Sequence, residues 1–102
     1  MENKETIKET IKFEPIEKEK IGELKFPQED VLTDENARKE RWNELQRATT
    51  LGNLDKIKFK IYFADENSYR YTETTIWGLT EKRVILKQGI MIPVNRIFYV
   101  KF

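Results

Sequence analysis

A chain of 102 residues is long enough for one small domain and too short for two. Charged residues make up 36% of it, the net charge is +1, and it contains neither Cys nor His. Disulfide scaffolds, thiolate metal sites and Ser-His-Asp chemistry are therefore excluded. The commonest metal ligand and the commonest general base near neutral pH go with the histidines, so no enzyme, metal or cofactor is expected.

The near-neutral total conceals an asymmetry. Residues 1–33 hold six Lys against nine Asp or Glu, whereas residues 56–102 hold nine basic residues against four acidic. Uncharged runs such as Gln88 to Asn95 fall far short of the ~20 apolar residues of a membrane span. The opening Met1-Glu2-Asn3-Lys4-Glu5 lacks the basic and apolar regions of a signal peptide. A soluble, cytoplasmic protein is expected.

In chain order, residues 1–33 read as an acidic tail, flexible or extended. Ile7, Ile11, Phe13, Ile16, Ile21, Leu24, Phe26, Val31 and Leu32 follow no helical or strand period for long. Such a segment cannot offset its ordering entropy alone. The other reading is an arm whose Ile and Phe side chains dock on the domain or a partner. Thr33 to Gly52 predicts a helix. Thr33 or Asp34 caps it, Trp42, Leu45 and Ala48 form its apolar stripe, and Gly52-Asn53 stops it.

After Asp55 the period changes to two. Lys56-Ile57-Lys58-Phe59-Lys60-Ile61-Tyr62-Phe63 alternates, with Ile57, Phe59, Ile61 and Phe63 facing one side. Ala64 to Ser68 is a turn cluster. Tyr69 to Leu79 predicts a long strand bent near Gly78. Arg83 to Lys87, Ile90 to Ile92 and Ile97 to Lys101 complete five strands, with a tight turn at Gln88-Gly89. Five short strands in so few residues suggest closure, because a flat sheet would leave two edges and an apolar face open.

This order resembles the SH3-like and Sm-like small barrels: a helix first, a long bent second strand, and a single helical turn at Pro93 to Arg96 before the last strand. It is also similar to YolD-like and other short uncharacterised bacterial proteins, with Ile92, Ile97 and Val100 in the places of their final pattern. The resemblance implies a mainly β fold: an N-terminal helix, then a five-stranded antiparallel barrel over residues 34–102, behind the irregular tail. The loops Thr80-Glu81-Lys82-Arg83 and Pro93-Val94-Asn95-Arg96-Ile97 lack the RNA-binding Sm signatures, so ring assembly and uridine binding are not carried over.

Two binding surfaces follow from the residues. A basic strand face, Lys56, Lys58, Lys60 and Tyr62 continued by Tyr69, Arg70 and Tyr71, interleaves charge with rings as single-stranded nucleic-acid binders do. The same lysines also serve simply to block edge pairing. Trp77 reads as core rather than as a peptide-binding ring. The expected function is a non-catalytic binding module for a protein partner or a second copy. The alternative is single-stranded RNA on the basic face. No membrane partner and no small-molecule substrate is expected.

Overall fold

The computed structural model describes residues 4–102. Helix α1 (Lys4–Thr10) and the short strand β1 (Glu14–Pro15) come first, followed by a 3-10 helix over Lys18–Glu23. A long helix, α2 (Glu35–Asp55), precedes the strands β2 (Phe59–Ala64), β3 (Tyr69–Thr74), β4 (Ile76–Leu79), β5 (Arg83–Leu86), β6 (Met91–Pro93) and β7 (Ile97–Lys101). The strands form two sheets, one ordered β1-β3-β2-β7 and one ordered β4-β5-β6.

This layout corrects the mainly β barrel. The described residues are 40% helix and 30% strand, and they form no closed barrel. The predicted strand 69–79 divides at buried Thr75, its two halves joining different sheets. Pairing with β2 ends at Phe59↔Thr74, so no ladder carries one sheet into the other. The helical share was underestimated because the arm has no period of its own, and α2 runs beyond its expected end.

Helix α2 starts as its sequence demands. Asp34 is extended and accepts from the Ala37 N–H at 3.0 Å. Leu45 and Ala48 are fully buried, with Trp42 and Leu51 packed at the margin of the same core. Gly52 is not the stop. The helix continues to Asp55, and Lys56 takes the left-handed conformation after it (φ 55°), with its N–H bonded to Gly52 O. Glycine is needed at 52 for another reason: a Cβ there would lie 2.6 Å from the Ile76 carbonyl oxygen of β4. The helix rests on the strand at a distance only glycine allows.

The main core lies between the sheets and under α2. Phe59, Ile61 and Phe63 of β2 meet Ile76, Val84, Leu86, Ile92, Ile97 and Val100 there. The alternation thus holds from Phe59 onward, while Ile57 is 40% exposed and precedes the strand. The chain spends residues 56–58 leaving the helix. Strand β7, an edge of its sheet, is closed by polar groups of α2. Buried Arg41 donates to Ile97 O at 3.1 Å, and buried Glu44 accepts from Val100 N at 3.2 Å.

Residues 4–33 lie docked against the rest; residues 1–3 of the expected tail are outside the described residues. Ile21 enters the main core, and Ile7 and Leu32 join Ala64, Phe98 and Tyr99 in a second cluster on the other face of the four-stranded sheet. Polar bonds fix the arm near its end. Asp30 grips Arg41 with both oxygens at 2.8 Å, and Arg96, buried, donates to Glu29 O at 2.9 Å and Ala64 O at 3.0 Å. Side chains far apart in sequence supply this docking, which local periodicity does not register.

Candidate nucleic-acid interface

The outer face of the four-stranded sheet carries a row of three tyrosines. Register places Tyr71 of β3 and Tyr99 of β7 on either side of Tyr62 of β2. The rings stack: Tyr62 lies 5.2 Å from Tyr71 and 4.5 Å from Tyr99, centroid to centroid. Cross-strand aromatic pairs of this kind are a usual source of sheet stability. A bulge in β7 leaves Phe98 without a partner in β2, and both Phe98 and Tyr99 belong to the cluster beneath the arm. Phe13 then sets its ring edge-on to Tyr62 at 5.0 Å and to Phe98 at 5.5 Å.

Three lysines surround the row. Lys60 Nζ lies over the Tyr71 ring at 5.6 Å, and Lys8 Nζ lies over the Tyr99 ring at 5.4 Å. Lys101 stands opposite Lys60 in the β2–β7 ladder. Lys8, Phe13, Lys60, Tyr62, Tyr71, Tyr99 and Lys101 line one open groove of about 310 Å³. Among the described residues none of these lysines makes an ion pair, whereas Lys4, Lys18, Arg38, Arg41 and Arg70 all do. The hydroxyls of Tyr62, Tyr71 and Tyr99 likewise have no hydrogen-bond partner among the described residues. Burial, followed by the neighbouring Tyr62 and Glu5, pushes the Tyr99 pKa up to about 12. Its hydroxyl therefore stays a protonated donor near neutral pH. Glu73, opposite Lys60 in the β2–β3 ladder, and Glu5, near Tyr99, are acidic neighbours of the row.

Of the residues expected on the basic face, Lys60, Tyr62 and Tyr71 come together here. Tyr69 is half exposed and touches the aromatic cluster through Phe13 at 6.0 Å and Phe98 at 5.9 Å, without lining the groove. Lys56 is the cap residue of α2, and Lys58 lies before β2, so neither stands on the strand face. Arg70 is engaged by Asp65, whose other oxygen holds the turn through Asn67 N at 2.6 Å and Ser68 N at 2.8 Å. Lys8, Phe13, Tyr99 and Lys101 join them here and are not among the residues expected on that face. The signal for the last two is the mirrored pattern Lys60-x-Tyr62 and Tyr99-x-Lys101 on antiparallel strands.

Trp77 is not core, contrary to its sequence reading. The β4–β5 ladder pairs Ile76 with Leu86 and Gly78 with Ile85, so Trp77 is the extra residue of a bulge and is 51% exposed. With half-buried Ile85 and exposed Met91, which pair across β5 and β6, it makes a second, apolar surface.

Among the described residues no group of three or more Asp or Glu is placed to hold a metal ion. No described helix is long and apolar enough to cross a membrane. Comparison with protein-family models, curated proteins and solved structures finds no match to this chain, so no relative supports the YolD-like resemblance.

Proposed function

We propose that this protein is a non-catalytic, cytoplasmic binding protein for single-stranded nucleic acid, using the lysine-flanked tyrosine row. One observation carries the proposal: Lys8, Lys60 and Lys101 converge from three elements on one groove, with no carboxylate paired to any of them among the described residues. Unpaired ammoniums beside aromatic rings are the chemistry that follows a phosphate backbone. Three phosphate contacts on a single strand give a log–log salt slope of about −2. Fluorescence anisotropy with a labelled RNA strand across a salt series measures that slope. The triple variant Lys8→Gln, Lys60→Gln, Lys101→Gln is expected to lose both affinity and slope. Unchanged affinity in that variant would refute the proposal.

A second reading, a protein partner or a second copy, is favoured by the exposed Trp77 beside Ile85 and Met91. Exposed aromatic and Met side chains are enriched at protein interfaces. Self-association through this face predicts a dimer by sedimentation that persists in moderate salt and is lost in Trp77→Ser. A monomer at all concentrations removes the second-copy form of it.

A further inference from the structure

We infer that the groove holds a phosphate chain by its oxygens and leaves the bases outside, so that single strands bind without regard to sequence. This names the ligand chemistry of the site proposed above and rests on that proposal. Base stacking needs an aromatic ring with an open face. The central ring here has spent both of its own, and each end ring is engaged by a stacked neighbour and an ammonium. Tyr62 is stacked on both sides, at 5.2 Å and 4.5 Å. The two end rings carry the Lys60 and Lys8 ammoniums above them, at 5.6 Å and 5.4 Å. Phe13 stands edge-on to Tyr62, interplanar angle 73°, and to Tyr99, interplanar angle 87°.

What remains is a set of donors. Three ammoniums offer charge, and three phenol hydroxyls without partners among the described residues offer hydrogen bonds. Tyr99, whose pKa burial raises to about 12, supplies its hydroxyl in protonated form. Phosphate oxygens accept from both kinds of group, and bonds to an ionised acceptor are stronger than neutral ones. Base edges carry no charge and gain nothing comparable from a row of ammoniums.

The test compares two labelled strands of about 12 nucleotides, within the site size usual for such proteins. One has ordinary bases; the other keeps the sugar-phosphate chain but is abasic throughout. Equal affinity, within about threefold, is expected for the intact protein. An abasic strand weakened tenfold or more, against a tight ordinary strand, overturns the inference and leaves nucleic-acid binding standing. Failure of both strands at low salt overturns both. Tyr71→Phe separates the two modes independently, since it keeps the ring and removes only the hydroxyl. Phosphate recognition predicts about fivefold weaker binding of both strands. No change in either overturns the inference, because a ring that stacks bases would be intact.

Discussion

Replacing Gly52 by Ala tests the contact between α2 and β4 through the sign of its effect. In an exposed helix interior Gly→Ala stabilises by about 1 kcal/mol, because Ala has the higher helix propensity. At position 52 the added Cβ would stand 2.6 Å from the Ile76 carbonyl oxygen and 3.2 Å from Thr75 Cγ2. Ordinary van der Waals contact for a Cβ begins near 3.4 Å, and the nearest atom is backbone, which cannot rotate away. The helix must lift by most of an ångström. Leu45 and Ala48, both fully buried, lift with it. Overpacking of this kind costs about 1–3 kcal/mol, which outweighs the propensity gain. A net loss near ~1 kcal/mol lowers the melting temperature by roughly 4–8 °C in a domain of this size. Urea denaturation of both proteins measures it, with Gly22→Ala as control, since a Cβ at 22 meets nothing within 4 Å. A Gly52→Ala protein as stable as the parent, or more so, would show that helix and strand do not approach as described.

The Asp30–Arg41 pair makes stability depend on acid. Burial pushes the Asp30 pKa up, but bonds from Arg41 and the Leu32 N–H, with the charges of Arg41 and Arg38, outweigh it and hold it below the usual range. A depressed folded pKa gives stability that is present above the unfolded value of about 3.9 and lost as pH falls through the folded one. Urea midpoints should therefore drop below about pH 4, and less steeply in Asp30→Asn. That variant should also cost about 3 kcal/mol at neutral pH, since it strands buried Arg41. Phe13→Ala should cost about 2 kcal/mol, below the fully buried range because the ring is half-buried, and should speed hydrogen exchange of the α1 amides. Glu73→Gln, which removes the carboxylate opposite Lys60, should tighten RNA binding by about threefold, and weaker binding would contradict the electrostatic account. Trp77→Ser should leave stability within about 0.5 kcal/mol, whereas Trp42→Ala at the core margin should cost about 3 kcal/mol in the same thermal melts.

The elements legible in the sequence were those whose signal is local. The cap at Asp34, the alternation from Phe59 and the turn at Gln88-Gly89 each depend on neighbours within a few residues, while the helical turn at Val94–Arg96 is expected only from the small-barrel resemblance. Gln88 and Gly89 both take positive φ, 71° and 79°, as a turn that tight requires. The failures are non-local. Gly52 has the residue type of a helix stop, yet its reason is a carbonyl in β4. Trp77 has the composition of core, yet a bulge turns it outward. Closure was inferred from strand count, and strand count does not say where pairing ends. The candidate site was half legible for the same reason: Lys60, Tyr62 and Tyr71 lie on one hairpin, while Lys8, Phe13, Tyr99 and Lys101 reach them from both ends of the chain.

That convergence bears on what the arm is for. An acidic segment lying on a basic face suggests a competitor for the ligand, to be displaced before binding. The contacts describe a different relation. The part of the arm at the groove contributes a lysine and a ring to it, through Lys8 and Phe13, and is anchored there by Ile7 in the second cluster. Two of the arm's acids are engaged elsewhere, Asp30 on Arg41 and Arg38 and Glu19 on Lys18, while Glu5 acts on Tyr99 and not on a groove lysine. An arm that competed would have to bring carboxylates to Lys60 and Lys101, and among the described residues none pairs with either. The arm is thus one wall of the groove, and under the proposed function its docking energy and the groove's affinity are expected to rise or fall together. Loss of Phe13, which touches Tyr62, Tyr69, Phe98 and Tyr99 at once, is expected to withdraw Lys8 from the Tyr99 ring as well as to loosen α1.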